Sequence, residues 1–211
     1  MYHPGVEPVT AFVLAGGKSS RMGQDKAFLQ LGGCSLLART LELARKVTPN
    51  SCIVGSAAKF AVFAPVVEDL YPECGPLAGI HAALTRTSTD LNLVLAVDLP
   101  FLEASFLNYL VCQGHETSAA AVVPRAGGSL QPLCAVYRRR FAEIAERSLR
   151  AGRNKIDPLF AEVQARVIEP AELQRSGFME TMFRNLNTPN DWDEARREEV
   201  TLSSSVDLKP K

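Results

Sequence analysis

The sequence lacks most of the features that would commit it to a simple class. It has no excess charge: 23 lysines and arginines face 23 aspartates and glutamates, so the formal net charge is zero. Bulk attraction to nucleic acid or to an acidic membrane surface is therefore excluded, and any anion must be held by a local cluster. No apolar run is long enough to span a bilayer. The first residues, "MYHPGVEP", carry neither a basic region nor an apolar core, so a secretory leader is not expected. There is no C-x-x-C pair. Cys34, Cys52, Cys74, Cys112 and Cys134 are odd in number and widely spaced, which reads as reduced thiols of a cytoplasmic protein rather than disulfides or a zinc set. His3, His81 and His115 are scattered and offer no metal cluster. No Ser–His–Asp or Cys–His set stands out, and no internal repeat is visible. What remains is 211 residues, 46% of them hydrophobic, enough for one well-packed domain.

Strand-like and helix-like runs alternate along the chain. "VTAFVLA" (Val9 to Ala15) is apolar and β-rich. "SLLARTLELARKV" (Ser35 to Val47) has helical spacing, with Ser35 placed to cap it. "CIVGS" and "APVVED" read as short strands, and "GPLAGIHAALTRT" as a helix with Pro76 in its first turn. "LNLVLAVD" (Leu91 to Asp98) is the near-continuous apolar run of a strand buried on both faces. A helix ("EASFLNYLVCQ"), two strands ("SAAAVVP", "QPLCAVY"), a helix closed by Gly152 and a last strand ("ARVIEP") follow. The alternation predicts an α/β fold, a single doubly wound, mainly parallel sheet with helices on both faces. We expect one domain over 9–200, preceded by an extension at 1–8 and followed by a polar, frayed tail at 201–211.

In such sheets ligands sit outside the carboxyl ends of the strands. Three signals fall there: the loop after the first strand, Glu68-Asp69 after "APVV", and Asp98 after "LNLVLAV". The loop belongs to "LAGGKSSRMGQDKA", residues 14–27. Gly16 and Gly17 permit positive φ and close backbone approach to a ligand, and successive N–H groups in such a turn form an anion-binding concavity. Lys18, Arg21 and Lys26 add three positive charges within nine residues, which matches a triphosphate. A solvated tight turn is the plainer alternative, and the glycine pair alone does not decide between them. The loop is not a Walker A motif: Gly17 to Gly23 is one residue too long, and no lysine follows Gly23. It is not a G-x-G-x-x-G loop either.

The same stretch resembles the signature of nucleotidyltransferases of the molybdenum cofactor guanylyltransferase family. "EDLYPECGPLAGIHAAL", "VLAVDLPFL", "LQPLCAVYRR" and "FRNLNTPND" follow in the family's order, so the resemblance covers most of the chain from Val9 to Asp191. It implies a Rossmann-like nucleotidyltransferase that takes GTP and molybdopterin, or its molybdenum form, as substrates. GMP would pass to the terminal phosphate of the pterin, with release of pyrophosphate. The resemblance sets Leu14, Ala15, Gly16 and Gly17 against guanine and ribose. It sets Lys26 on the phosphates, Asp69 near the nucleoside and Asp98 on Mg²⁺, the implied cofactor. Arg21, Lys26 and Asp98 become the catalytic set, with Asn187 beside the metal and the acceptor phosphate. Transient contact with other molybdenum cofactor proteins is implied; nucleic acid and membrane are not. Cytidylyl relatives usually read L-A-A-G where this chain has Gly16, and "PK" where it has "DKA", which favours guanine. Leu99 departs from the Thr or Met of many relatives.

Each residue has a plainer reading. Asp98 could cap the next helix, and Lys26 could be an ordinary surface cation. Asp25 reads first as a structural partner of Lys26 or Arg21. Glu68 competes with Asp69 by one position. Gly75, Pro76 and Gly79 fit a tight helix start as well as a ligand contact. Asn185 and Asn187 sit where Thr188-Pro189 would open a helix, and Arg153, Asn154 and Lys155 point more weakly to the pterin. Two further functions stay open at this stage: a cytidylyl or sugar- or polyol-phosphate nucleotidyltransferase of the same fold, and a non-catalytic nucleotide-binding regulator.

Overall fold

A computed structural model describes residues 7–16, 25–186, 188 and 190–197. The chain runs β1 (Val9–Leu14), β2 (Gln30–Leu31), β3 (Cys34–Ser35), α1 (Leu36–Val47), β4 (Ser51–Val54), α2 (Ala57–Phe60), β5 (Val66–Val67) and α3 (Pro76–Arg86). It continues through β6 (Leu91–Ala96), α4 (Ala104–His115), β7 (Ala121–Ala126), β8 (Ser129–Leu130), β9 (Cys134–Arg138), α5 (Phe141–Arg150), α6 (Leu159–Glu162), β10 (Ala165–Ile168) and α7 (Pro170–Arg175). Two 3-10 turns, Lys26–Phe28 and Glu180–Phe183, and a helical stretch at 190–197 complete it.

The main sheet has the order β10-β7-β9-β6-β1-β4-β5, with β8 attached to β7. β1 pairs in parallel with β4 and β6, β4 with β5, and β7 with β10. β9 is antiparallel to both β6 and β7, and the short β8 is antiparallel to β7. The sheet is thus mainly parallel, as the alternation implied, with one reversed strand wedged into its middle.

The continuous apolar runs make sense from this placement. β1 and β6 are central, and all twelve of their residues are buried. Successive side chains point to opposite faces. Val13, Leu93 and Leu95 join Leu36, Leu37 and Leu41 of α1 and Phe106, Leu107 and Leu110 of α4 in one core. Phe12, Leu14 and Val94 join Leu77, Ile80 and Leu84 of α3 and Phe141, Ile144 and Leu149 of α5 in the other. Helix ends follow local chemistry. Ser35 Oγ accepts the Ala38 N–H at 3.2 Å, and Gly152, at φ +69°, closes α5. Thr188 and Asp191 cap each other: the Thr188 N–H donates to Asp191 Oδ2 at 2.7 Å, and the Asp191 N–H to Thr188 Oγ1 at 3.2 Å.

The amino ends of β1 and β6 are held by polar groups. Thr89 Oγ1 donates to Thr10 Oγ1 at 3.0 Å, and Asn92 Nδ2 donates to the Asp90, Thr89 and Tyr137 carbonyls at 2.9, 3.3 and 3.4 Å. Thr10, Thr89 and Asn92 are all buried, so each polar atom needs these partners. That leaves the carboxyl edge of the sheet for a ligand.

Candidate active site

A cavity of about 590 Å³ opens at the carboxyl edge. Leu14, Ala15 and Gly16 line it where β1 ends, and Val54, Gly55 and Ser56 where β4 ends. Asp69 lines it after β5, and Gly75, Pro76 and Gly79 line it at the start of α3. Gly17 and Arg21, as well as Lys18, lie outside the described residues, and so do the terminal segments 1–6 and 198–211.

Gly16 does not use the positive φ expected of it, because it is absent from the residues with that conformation. Its N–H and that of Ala15 both donate to the Val54 carbonyl, at 3.2 and 3.0 Å, so the strand hydrogen bonding runs on past β1. Packing against the described neighbours does not require glycine there either: a Cβ would stand 3.7 Å from Gly55 Cα, an ordinary contact. Gly55 is the constrained one, since a Cβ on it would sit 2.9 Å from the Phe60 ring. Gly75 does need its conformation: it caps α3 at φ +74°, ahead of Pro76. Gly79 serves packing, since a Cβ would meet Leu14 Cδ2 at 3.2 Å. The G-P-L-A-G segment is therefore both a close-packed helix start and a cavity wall.

Glu68 and Asp69 point to different tasks. Glu68 Oε1 accepts the Ala57 N–H at 2.9 Å and so ties down α2. Asp69 lines the cavity, with Oδ1 accepting the Tyr71 N–H at 2.8 Å. Burial raises the Asp69 pKa above the ordinary carboxylate value; the Tyr71 N–H and nearby His81 pull against it.

Lys26 and Asp98 do not line the cavity. They form a pair beside it, with Lys26 Nζ 3.1 Å from Asp98 Oδ2 and about a fifth to a quarter of each side chain exposed. β6 ends at Ala96, opposite Leu14 of β1, so Asp98 stands just beyond the central carboxyl edge. The Leu186 N–H donates to the Asp98 carbonyl at 3.2 Å, which brings the N-L-N segment to the same point. Asn187 itself lies outside the described residues.

Asp25 makes structural contacts. One carboxylate oxygen accepts the Ala27 N–H, at 3.2 Å. The other takes Lys59 Nζ of α2, at 2.9 Å, a partner the sequence did not suggest. Both residues line the cavity.

The MobA-like NTP transferase domain matches residues 11–167. A probable molybdenum cofactor guanylyltransferase of Pelotomaculum thermopropionicum is 36% identical over 189 residues, 89% of this chain and 91% of that protein. The molybdenum cofactor guanylyltransferase of Desulfosudis oleivorans is 32% identical over 193 residues, 90% of this chain and 95% of that one. Molybdopterin-guanine dinucleotide biosynthesis protein A of Archaeoglobus fulgidus superposes with a TM-score of 0.79 at 28% identity, over 91% of this chain and 99% of that one. The chain belongs to the MobA-like NTP transferase family.

Two lining groups of this family member escaped sequence reasoning. The Val54–Ser56 edge could have been found from the strand "CIVGS", whose carboxyl end had to face a ligand. Lys59 gave no signal, because a four-residue helix is too short to carry a period. Among the described residues no group of three His, Cys, Asp or Glu side chains converges on a point that could hold a metal. The carboxylate of Asp98, about a quarter exposed, is the kind of donor Mg²⁺ takes, since that ion keeps most of its waters and uses one or two carboxylates plus phosphate oxygens.

Proposed function

We propose that this chain transfers GMP from GTP to the terminal phosphate of molybdopterin, or of its molybdenum form, releasing pyrophosphate, and that it does so in the cytoplasm. The observation that carries the reading is the Lys26–Asp98 pair at the central carboxyl edge, beside a cavity of nucleoside size. The curated relatives named for this reaction, matched over nine-tenths of the chain, support it.

The division of labour follows from charge. The described cavity walls carry Asp25, Asp69 and Glu73 and one cation, Lys59. Such a pocket suits a nucleoside better than a polyphosphate. Guanine offers N1–H and N2–H donors, for which carboxylates and backbone carbonyls are acceptors. The phosphates belong outside it, toward Lys26. Lys26 would hold phosphate oxygens of the bound nucleotide, and Asp98 would hold Mg²⁺. Bound there, the ion would supply charge neutralisation on the transferring and departing phosphates.

The acceptor is a phosphate monoester. Its second pKa is near ~6, so it is already a nucleophilic dianion at neutral pH. No general base is required. Catalysis is then in-line placement of two anions and neutralisation of their charge.

A thermal-shift panel with GTP, CTP, ATP and UTP, each with and without Mg²⁺, tests the donor. A ligand at a hundred times its Kd stabilises by about 2.7 kcal/mol, or roughly 5–10 °C for a chain of this length. We expect the shift with GTP, enlarged by Mg²⁺. A larger shift with CTP would replace guanine by cytosine in the assignment. Pyrophosphate release from GTP only when molybdopterin is added then tests the acceptor.

A further inference from the structure

We propose that Lys59 is a positioning residue for the phosphate side of the nucleotide site, and that it acts through Asp25. The inference rests on the nucleotide reading of the cavity given above.

α2 forms part of the cavity wall through Lys59 and Phe60. At one end the Glu68 carboxylate accepts its Ala57 N–H at 2.9 Å and anchors it to the end of β5. At the other end it touches the Lys26–Phe28 turn twice. Lys59 Nζ meets Asp25 Oδ2 at 2.9 Å, and the Phe60 ring stacks on Phe28 with centroids 5.7 Å apart. Phe60 is fully buried under Gly55, so the helix has little freedom to slide.

Asp25 is the hinge of the arrangement. Its other oxygen accepts the Ala27 N–H, and this bond starts the turn from which Lys26 reaches Asp98. Fixing the Asp25 carboxylate therefore fixes the direction in which Lys26 leaves the backbone. Lys59, Asp25, Lys26 and Asp98 form one succession of contacts across the carboxyl ends of β4, β1 and β6. Lys59 has a second effect by charge. Asp25 lines the cavity rim, where a bare carboxylate would repel a triphosphate, and the Lys59 ammonium neutralises it.

The test is a double-mutant cycle read by calorimetric binding of GTP and of guanosine to the full chain. The variants are Lys59→Met, Asp25→Asn, which keeps the capping oxygen, and the two together. Lys59→Met should raise the GTP Kd about fivefold, the upper end for a half-exposed ion pair, and leave the guanosine Kd unchanged. In the Asp25→Asn background the Lys59→Met step should have no effect on GTP, because its route is gone. Lys59→Arg should restore wild-type binding. An equal loss in both backgrounds would mean that Lys59 touches the phosphates directly and would overturn the assignment. Equal weakening of guanosine would overturn it too, by making Lys59 a nucleoside contact. No change in GTP binding for Lys59→Met would remove Lys59 from the site. A wild-type chain that binds neither GTP nor guanosine would defeat the nucleotide reading itself, and this assignment with it.

Discussion

Asp98 and Lys26 have no part in either apolar core, so their chemistry can be removed without unmaking the fold. Asp98→Asn should lower kcat/KM for guanylyl transfer by roughly 10²–10³-fold, the usual loss of one electrostatic group at a reacting centre. The melting temperature should stay within about 3 °C of wild type, since an ion pair still open to solvent contributes about 1 kcal/mol. Steady-state kinetics beside a melting curve checks both halves. His81 makes the opposite kind of demand. Thr85 Oγ1 donates to the His81 carbonyl at 2.8 Å, so the ring Nε2–H must be the donor in its 3.3 Å contact with that hydroxyl. Among the described residues, Nδ1 is left as a buried acceptor with no hydrogen-bond partner. Burial pushes the His81 pKa below its ordinary 6.5, against the pull of Glu146 and Asp69 and with a smaller push from Arg150. The unfolded chain takes up a proton as pH falls through about 6.5, and the folded chain does not. The stability due to neutral His81 is thus full above that pH and is lost below it. The melting temperature of wild type relative to His81→Phe should fall between pH 7 and pH 5; a constant difference would refute the linkage. Asp69, whose pKa is raised by burial, works in the other direction.

At the scale of elements, two glycines separate packing from function. A Cβ on Gly114 of α4 would come 2.9 Å from Val136 Cγ1 of β9. Gly114→Ala should destabilise by about 1–3 kcal/mol through overpacking and leave the GTP Kd alone. Gly79→Ala presses on Leu14, which lines the cavity, so it should weaken GTP binding for a smaller change in melting temperature. The long elements were legible in the sequence for the same reason that they are stable. "LNLVLA" is apolar throughout because β6 is covered on both faces, and "LLARTLELARKV" is periodic because α1 buries one stripe. Among the short ones β5 showed as the apolar pair of "APVVED", but α2 and β8 did not: they have four and two residues, too few to show a period. Their positions depend on what they dock against. The reversed direction of β9 was equally invisible: a strand buried on both faces reads the same whichever way it runs. At the site, Asp69 and Asp98 could be read from strand ends. The engagement of Asp25 with Lys59 could not, because it depends on where a four-residue helix lands.

Across the whole molecule, stability and chemistry are assigned to opposite ends of the same strands. Thr10, Thr89 and Asn92 tie the amino ends of β1 and β6, and the cavity and the Lys26–Asp98 pair occupy the carboxyl ends. Asn92→Ala strands several buried polar groups. It should cost about 2–3 kcal/mol, or roughly 5–10 °C in melting temperature, with kcat/KM for GTP unchanged. A proportionate loss of activity would show that the two ends are coupled. The strand order also sets a timetable for synthesis. β1 leaves the ribosome first, yet one of its two neighbours, β6, lies about eighty residues later in the chain. At roughly 5–20 residues per second, the apolar edge of "VTAFVL" waits some 4–16 s for its partner while β4 already covers the other side. A nascent chain stalled before Leu91 should therefore be the species that chaperones hold most tightly, and release should come with the arrival of β6.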